Sequence, residues 1–128
     1  GARVILSPNP SRRVFAYPAP VDLRNGYNGL FGLVEQGLRR EPMCGDLYLF
    51  VSQSRKMCKI LLWDGSGLCI FQKRLTLGTF AKLWRDDGKA VQLTQRELAL
   101  FVEGSTFFAR RPTTSIGEQK MVVSDRAT

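Results

Sequence analysis

The strongest constraint on the fold is a turn signal between two runs that favour β-strand. Residues 57–63 and 68–74 are dominated by apolar side chains, and Asp64-Gly65-Ser66-Gly67 lies between them. Asp, Gly and Ser are the residue types that tight turns require, so we predict an antiparallel hairpin. The register that this turn favours has three facing pairs: Trp63 with Leu68, Leu62 with Cys69, and Ile60 with Phe71.

This register sorts the hairpin side chains onto two faces. One face is nearly all apolar and consists of Cys58, Ile60, Leu62, Cys69 and Phe71. The other face is mixed and consists of Lys59, Leu61, Trp63, Ile70, Gln72 and Arg74. Because side chains alternate along a strand, a slip of one residue would exchange the two sets. The sorting therefore depends on the turn.

Three further strands are predicted outside the hairpin. Residues 47–51 form an apolar run, and residues 90–93 form a short fourth strand. Residues 13–17 lie among four prolines, which cannot donate to a sheet ladder, so we expect an edge strand there.

Two helices are predicted from spacing and capping signals. The first runs from Asp22 to about Leu38, with apolar residues at helical spacing. It contains Gly26, Gly29 and Gly32, which indicate either a close backbone approach or an irregular first turn. The second runs from Gln95 to Glu103 behind the capping box Thr94-Gln95-Arg96-Glu97, and Gly104 is placed to end it.

These elements predict a small single domain of the α+β class, with a mainly antiparallel sheet of about four to five strands and two helices. We divide the chain into an irregular N-terminal arm (residues 1–12), the α+β domain (13–108) and a polar C-terminal tail (109–128).

Composition bounds the chemistry. Nineteen Lys and Arg against eleven Asp and Glu give a net charge of +8, which favours a polyanionic partner, nucleic acid first. The chain has no histidine, which removes the commonest general base and every His-containing catalytic or metal site. Its three cysteines form no CxxC pair. We therefore expect no catalytic residues, no metal and no cofactor.

Neither a membrane span nor a secretory signal is visible, since no apolar run approaches about 18 residues. We expect a cytoplasmic protein without a membrane partner.

Asp22, Asp64 and Glu103 occur in the order of a metal-binding carboxylate triad. We interpret them instead as a helix cap, a turn residue and a surface carboxylate.

Basic residues occur in three local groups: Arg12-Arg13, then Arg55-Lys56 with Lys59, and finally Lys73-Arg74 with Lys82 and Arg85. The hairpin would bring Lys59, Gln72 and Arg74 together beside Trp63. Cations with an aromatic neighbour suit contact with a nucleic-acid backbone and stacking on a base. The alternative is an ordinary solvated face. The predicted contact set is Arg24, Lys59, Trp63, Gln72, Lys73 and Arg74.

The order of several motifs resembles a known family. Its blocks are similar to Val21–Leu30 (VDLRNGYNGL), Gly45–Phe50 (GDLYLF), Lys59–Gly67 (KILLWDGSG), Lys73-Arg74-Leu75 with Gly78 and Phe80, and Leu93–Gly104 (LTQRELALFVEG). The family is the small accessory protein, often called TnpB or Orf2-like, of the bacterial insertion-sequence family numbered sixty-six. The family-motif residues at these positions are Asp22, Arg24, Gly26, Lys59, Trp63, Asp64, Arg74 and Glu103.

The resemblance implies an accessory role in transposition, beside a large transposase and without an established catalytic activity. Our leading hypothesis is a non-enzymatic factor that contacts insertion-sequence end DNA, the cognate transposase, or both, through the hairpin. Lys59 and Arg74 would neutralise phosphate, Gln72 would donate hydrogen bonds, and Trp63 would stack or pack. The alternative is a protein–protein adaptor or a homo-oligomeric module that does not bind DNA directly.

Overall fold

The computed structural model describes residues 11–104, and these form one five-stranded sheet. The strands are β1 (Val14–Ala16), β2 (Leu47–Val51), β3 (Met57–Trp63), β4 (Leu68–Arg74) and β5 (Val91–Leu93). Their order across the sheet is β4-β3-β2-β1-β5. All neighbouring pairs are antiparallel except β1 and β2, which are parallel.

The predicted hairpin is confirmed in both bounds and register. Strands β3 and β4 pair with Trp63 opposite Leu68 and Ile60 opposite Phe71. The turn is closed by the Asp64 carboxylate, which accepts hydrogen bonds from the backbone amides of Ser66 and Gly67 at 2.9 and 3.0 Å. A side-chain acceptor at the first turn residue thus fixes the register.

The strand predicted over residues 13–17 is confirmed as β1, but its predicted position at the edge of the sheet is wrong. Strand β1 lies between β2 and β5 and pairs with both. The prolines do not prevent this, because Pro18 lies beyond the last strand residue, Ala16, and costs the ladder no donor. The strand is buried along its whole length.

The first helix begins five residues later than predicted. Helix α1 spans Tyr27–Gly32 and continues as a π-helical turn over Leu33–Gly37. Asp22 does not cap it, because its carboxylate binds the backbone and the guanidinium of Arg24 instead. The irregular first turn is therefore the correct reading of the glycine-rich start.

The second helix confirms its start signal. Helix α2 spans Gln95–Phe101, and both hydrogen bonds of the Thr94–Glu97 capping box are present. The helix ends two residues earlier than predicted, and Gly104 follows with a φ of 103°. Glycine adopts this left-handed conformation without strain, so it suits the close of the segment.

Two apolar layers cover the two faces of the sheet. On one face, α2 and the loop around Phe80 pack on a cluster that includes Ile60 and Leu62. On the other face, Leu30 of α1 and Val34 of the π-helical turn pack in a second cluster. This arrangement is a small single domain of the α+β class, as predicted.

The predicted tail (109–128), the last four residues of the predicted domain (105–108) and most of the predicted arm lie outside the described residues. Those boundaries therefore stay predictions. Within residues 11–104, no helix is long and apolar enough to cross a bilayer.

Candidate nucleic-acid interface

Lys59 lies in the middle of the predicted contact set, but its ammonium points inward. The residue is 8% exposed, and its Nζ donates to the backbone carbonyl of Asn25 at 2.9 Å. A buried charge is costly unless it is hydrogen-bonded, so this hydrogen bond both satisfies the Lys59 ammonium and links two segments of the fold. Lys59 fastens the segment that precedes α1 onto the hairpin.

Arg24 precedes Asn25, the residue that Lys59 holds, and its side chain is exposed to solvent. Its side chain is 90% exposed, and it forms an ion pair with Asp22 at 2.6 Å. The hydrogen bonds from Arg24 lower the pKa of the Asp22 carboxyl to about 2. Because the neighbouring residue, Asn25, is held by Lys59, Arg24 is held close to the hairpin.

Gln72 and Arg74 lie on the outermost strand, β4, and share one face. Gln72 is directly opposite Lys59 in the β3–β4 pair, and Arg74 follows two residues later. Both are exposed. Among residues 11–104, the Arg74 side chain has no hydrogen bond or ion pair, so its guanidinium is available to a partner.

Trp63 and Lys73 are separated from this group. Trp63 is half-buried at the turn end of β3, about 13 Å along the strand from Lys59 at a rise of about 3.3 Å per residue. Lys73 faces the opposite side of the sheet, where its Nζ donates to the Val102 carbonyl at 2.7 Å. The structure therefore places Lys59, Gln72 and Arg74 on one face of the hairpin and ties Asn25, the neighbour of Arg24, to Lys59. We define the hairpin surface as Arg24, Gln72 and Arg74 with buried Lys59.

One exposed aromatic residue near this surface was not predicted from the sequence as a contact residue. Tyr27, the first residue of α1, is 51% exposed and lies two residues after Asn25. Exposed aromatic rings offer stacking platforms for bases. A tyrosine between two glycines is the sequence signal that could have identified it.

Other basic side chains of the hairpin region donate hydrogen bonds to backbone carbonyls within the fold. The Arg55 guanidinium donates to the Phe80 carbonyl at 2.9 Å, and Lys56 Nζ donates to the Gly78 carbonyl at 2.8 Å. Both bonds tie the turn before β3 to the loop after β4. The net charge of the chain therefore overstates the number of cations that are free for a partner.

The three carboxylates of the triad pattern lie in separate local settings. Asp22 is bound by Arg24, Asp64 is bound within its turn, and Glu103 is exposed after α2. In the part of the chain that the structure describes, no three His, Cys, Asp or Glu side chains gather as metal ligands would.

The shifted pKa values of the domain predict a wide pH plateau of stability. Hydrogen bonds from Arg24 and from the Ser66 amide lower the pKa values of Asp22 and Asp64 from 3.8. The stabilising effect of both shifts is present above about pH 4 and is lost as the pH falls below it, in the case of Asp22 towards about pH 2. Burial raises the pKa of the Cys58 thiol from 9.0 to about 12. The stability that the neutral thiol contributes is therefore fully present below about pH 9 and is lost as the pH rises from about 9 to about 12.

We therefore expect an unfolding free energy that is constant between about pH 5 and pH 8, measured by urea denaturation. In the Asp22→Asn variant, the fall of the unfolding free energy below about pH 4 should become smaller, while its fall above about pH 9 should stay unchanged. A transition near neutral pH would contradict this account.

Comparison with known proteins places these features in a family. A family model described as "IS66 Orf2 like protein" matches residues 12–112. The chain is 34% identical over 100 residues to "Uncharacterized protein y4jC" of Sinorhizobium fredii, covering 78% of this chain and 85% of that protein. It is 31% identical over 93 residues to "Uncharacterized protein y4hO" of the same organism, covering 72% and 79%. No solved structure matches this chain.

Proposed function

This chain belongs to the IS66 Orf2-like family, and on that premise we propose that it is a non-enzymatic accessory factor of transposition that contacts DNA. Membership of the family supports a transposition-associated accessory role. Direct contact with insertion-sequence end DNA is the part that we add, and we argue it from the hairpin surface.

The proposed DNA contact is supported by the residues of the hairpin surface. Gln72 and Arg74 are exposed on one face of the outer strand. Arg24 is exposed next to Asn25, which Lys59 holds, and shares its guanidinium with Asp22. Guanidinium groups bind phosphate oxygens through paired hydrogen bonds, and each neutralised phosphate releases counterions. Lys59 supports the contact from below, because it fixes the Arg24 segment against β3.

Single substitutions test the hairpin surface. We expect Arg74→Ala to weaken the binding of end DNA about eightfold at about 0.1 M salt, which is the loss of one phosphate contact. Lys82→Ala is the matched control, since Lys82 is exposed between two residues that pack on the opposite face of the sheet. Fluorescence anisotropy of labelled DNA measures both variants.

Three results would count against the proposal. Equal losses in Arg74→Ala and Lys82→Ala would indicate attraction by total charge, without a defined surface. An unchanged affinity in Arg74→Ala would remove the hairpin surface from the DNA contact. Wild-type protein that holds the transposase but not free DNA would favour the adaptor alternative.

A further inference from the structure

Arginine side chains also converge at the far end of the sheet, where β1 and β2 begin. The parallel pairing places Val14 opposite Leu47, so the residues just before these strands are also neighbours. The Arg13 guanidinium binds the Asp46 carboxylate at 3.1 Å, and the Arg12 guanidinium donates to the Gly45 carbonyl at 2.9 Å. The side chain of Arg13 is still 56% exposed.

Arg40 joins this group from the segment that follows the π-helical turn. Its guanidinium lies over the Phe15 ring, 3.8 Å from the ring centroid, and 3.7 Å from the Asp46 carboxylate. Its Nε is buried and has no hydrogen-bond partner among residues 11–104. Stacking and the ion pair hold the plane of this guanidinium in place, so little side-chain freedom is left to lose when a ligand binds.

Arg39 completes the group in an unfavourable backbone conformation. Its φ is 56°, in the left-handed region that favours glycine at the end of a helix. The side chain is exposed, and within residues 11–104 it has no hydrogen bond or ion pair. No described contact of the Arg39 side chain therefore stabilises the fold and offsets the unfavourable φ. Residues in strained backbone conformations cluster at functional sites.

The arginine cluster, defined as Arg12, Arg13, Arg39 and Arg40, carries a surplus of positive charge. Among the described residues, three carboxylates lie among or near these arginines. Asp46 is buried beneath Arg13 and Arg40, Glu41 accepts a hydrogen bond from the Met43 amide, and Asp64 lies in the β3–β4 turn at the same end of the sheet. Four cations against three anions leave a local excess of one, and the most exposed members of the cluster are Arg13 and Arg39.

We propose that the arginine cluster is a second phosphate-binding site for DNA, separate from the hairpin surface. This inference rests on the proposed function. Both sites lie on the sheet face that α1 covers, one near the start of the helix and one after its end.

From strand spacing and rise, the backbones of Gln72 and Arg13 are about 20 Å apart. That distance corresponds to about six steps of a DNA strand at 3.4 Å each. A single duplex can therefore reach both sites, whereas a compact anion could reach only one.

The double variant Arg13→Ala with Arg39→Gly tests the cluster. At about 0.1 M salt we expect end-DNA binding to weaken about 60-fold and the slope of log K against log salt to become about 1.8 shallower, which is the loss of two phosphate contacts. Lys82→Ala with Lys89→Ala removes the same charge from exposed loop positions and should leave the slope within one contact of wild type.

Arg39→Gly alone separates binding from folding. Glycine is favoured at this φ, so the variant should unfold at no lower urea concentration than wild type while it binds DNA about eightfold more weakly. Arg39→Lys keeps the charge and should restore most of the affinity.

The outcomes separate this inference from the proposed function. Wild-type protein that does not bind DNA would overturn both. DNA binding that depends on Arg74 and is unchanged in the Arg13–Arg39 variant would leave the proposed function standing and overturn the arginine cluster. Loss of transposase binding in the Arg13–Arg39 variant, with DNA binding intact, would also overturn it and assign the cluster to an acidic protein surface.

Discussion

Replacing Asp46 with alanine is expected to lower the free energy of unfolding by about 3 kcal/mol, because it removes the carboxylate that pairs with both Arg13 and Arg40. The carboxylate is 4% exposed and binds the backbone amide of Arg13 at 3.0 Å as well as its guanidinium. Arg40 would keep its position over Phe15 but lose its counter-charge. Because both arginines keep some contact with water, we expect a loss at the lower end of the range for buried ion pairs.

Urea denaturation of Asp46→Ala measures this loss, with Asp86→Ala as the control for an exposed carboxylate. The control should stay within about 0.5 kcal/mol of wild type. A loss below about 1 kcal/mol in Asp46→Ala would mean that the ion pairs do not order this end of the sheet.

Phe80→Ala is expected to cost about 4 kcal/mol, the largest single effect that we predict. The ring is fully buried and stacks on Phe101 at a centroid distance of 5.1 Å. Its backbone amide also donates to the Arg55 carbonyl at 2.7 Å, so the residue anchors the loop between β4 and β5. Removing the ring would leave a cavity between this loop and α2.

The variant Phe80→Leu distinguishes packing from loop connectivity. It fills most of the volume and should cost less than about half as much as Phe80→Ala in the same denaturation experiment. Equal losses in both variants would indicate that the ring stack itself dominates, and a small loss in Phe80→Ala would contradict its role as the anchor.

The parts of the fold that could be predicted from sequence are those specified by local chemistry. The turn from Asp64 to Gly67 supplies its own acceptor and positions, so the whole β3–β4 register follows from it. The capping box at Thr94 similarly determines where α2 begins. In both cases the deciding groups lie within four residues of each other.

The position of β1 could not be predicted, because it depends on contacts between distant segments. Its parallel partner, β2, begins more than thirty residues later, and nothing near Val14 indicates the pairing direction. The helix start was missed for a related reason. Asp22 has the side chain of a cap, but Arg24 competes successfully for the carboxylate.

The candidate site shows the same division between local and distant information. Alternation correctly placed Lys59, Gln72 and Arg74 on one face, since they follow from the hairpin register. It could not show that the Lys59 ammonium is held by the Asn25 carbonyl. The sequence contains both arginine pairs, Arg12-Arg13 and Arg39-Arg40, but does not show that they meet, because the approach of Arg40 to Asp46 depends on the β1–β2 pairing.

The most direct test of the DNA contact is a titration of labelled insertion-sequence end DNA, with scrambled DNA beside it, between about 0.05 and 0.2 M salt. The account predicts binding that weakens linearly in log K against log salt, with a slope of about −0.9 for each phosphate contacted. Tighter binding to the end sequence would in addition make the protein a targeting factor. A flat salt response, or no binding to either DNA, would contradict the account and leave the transposase as the partner to test.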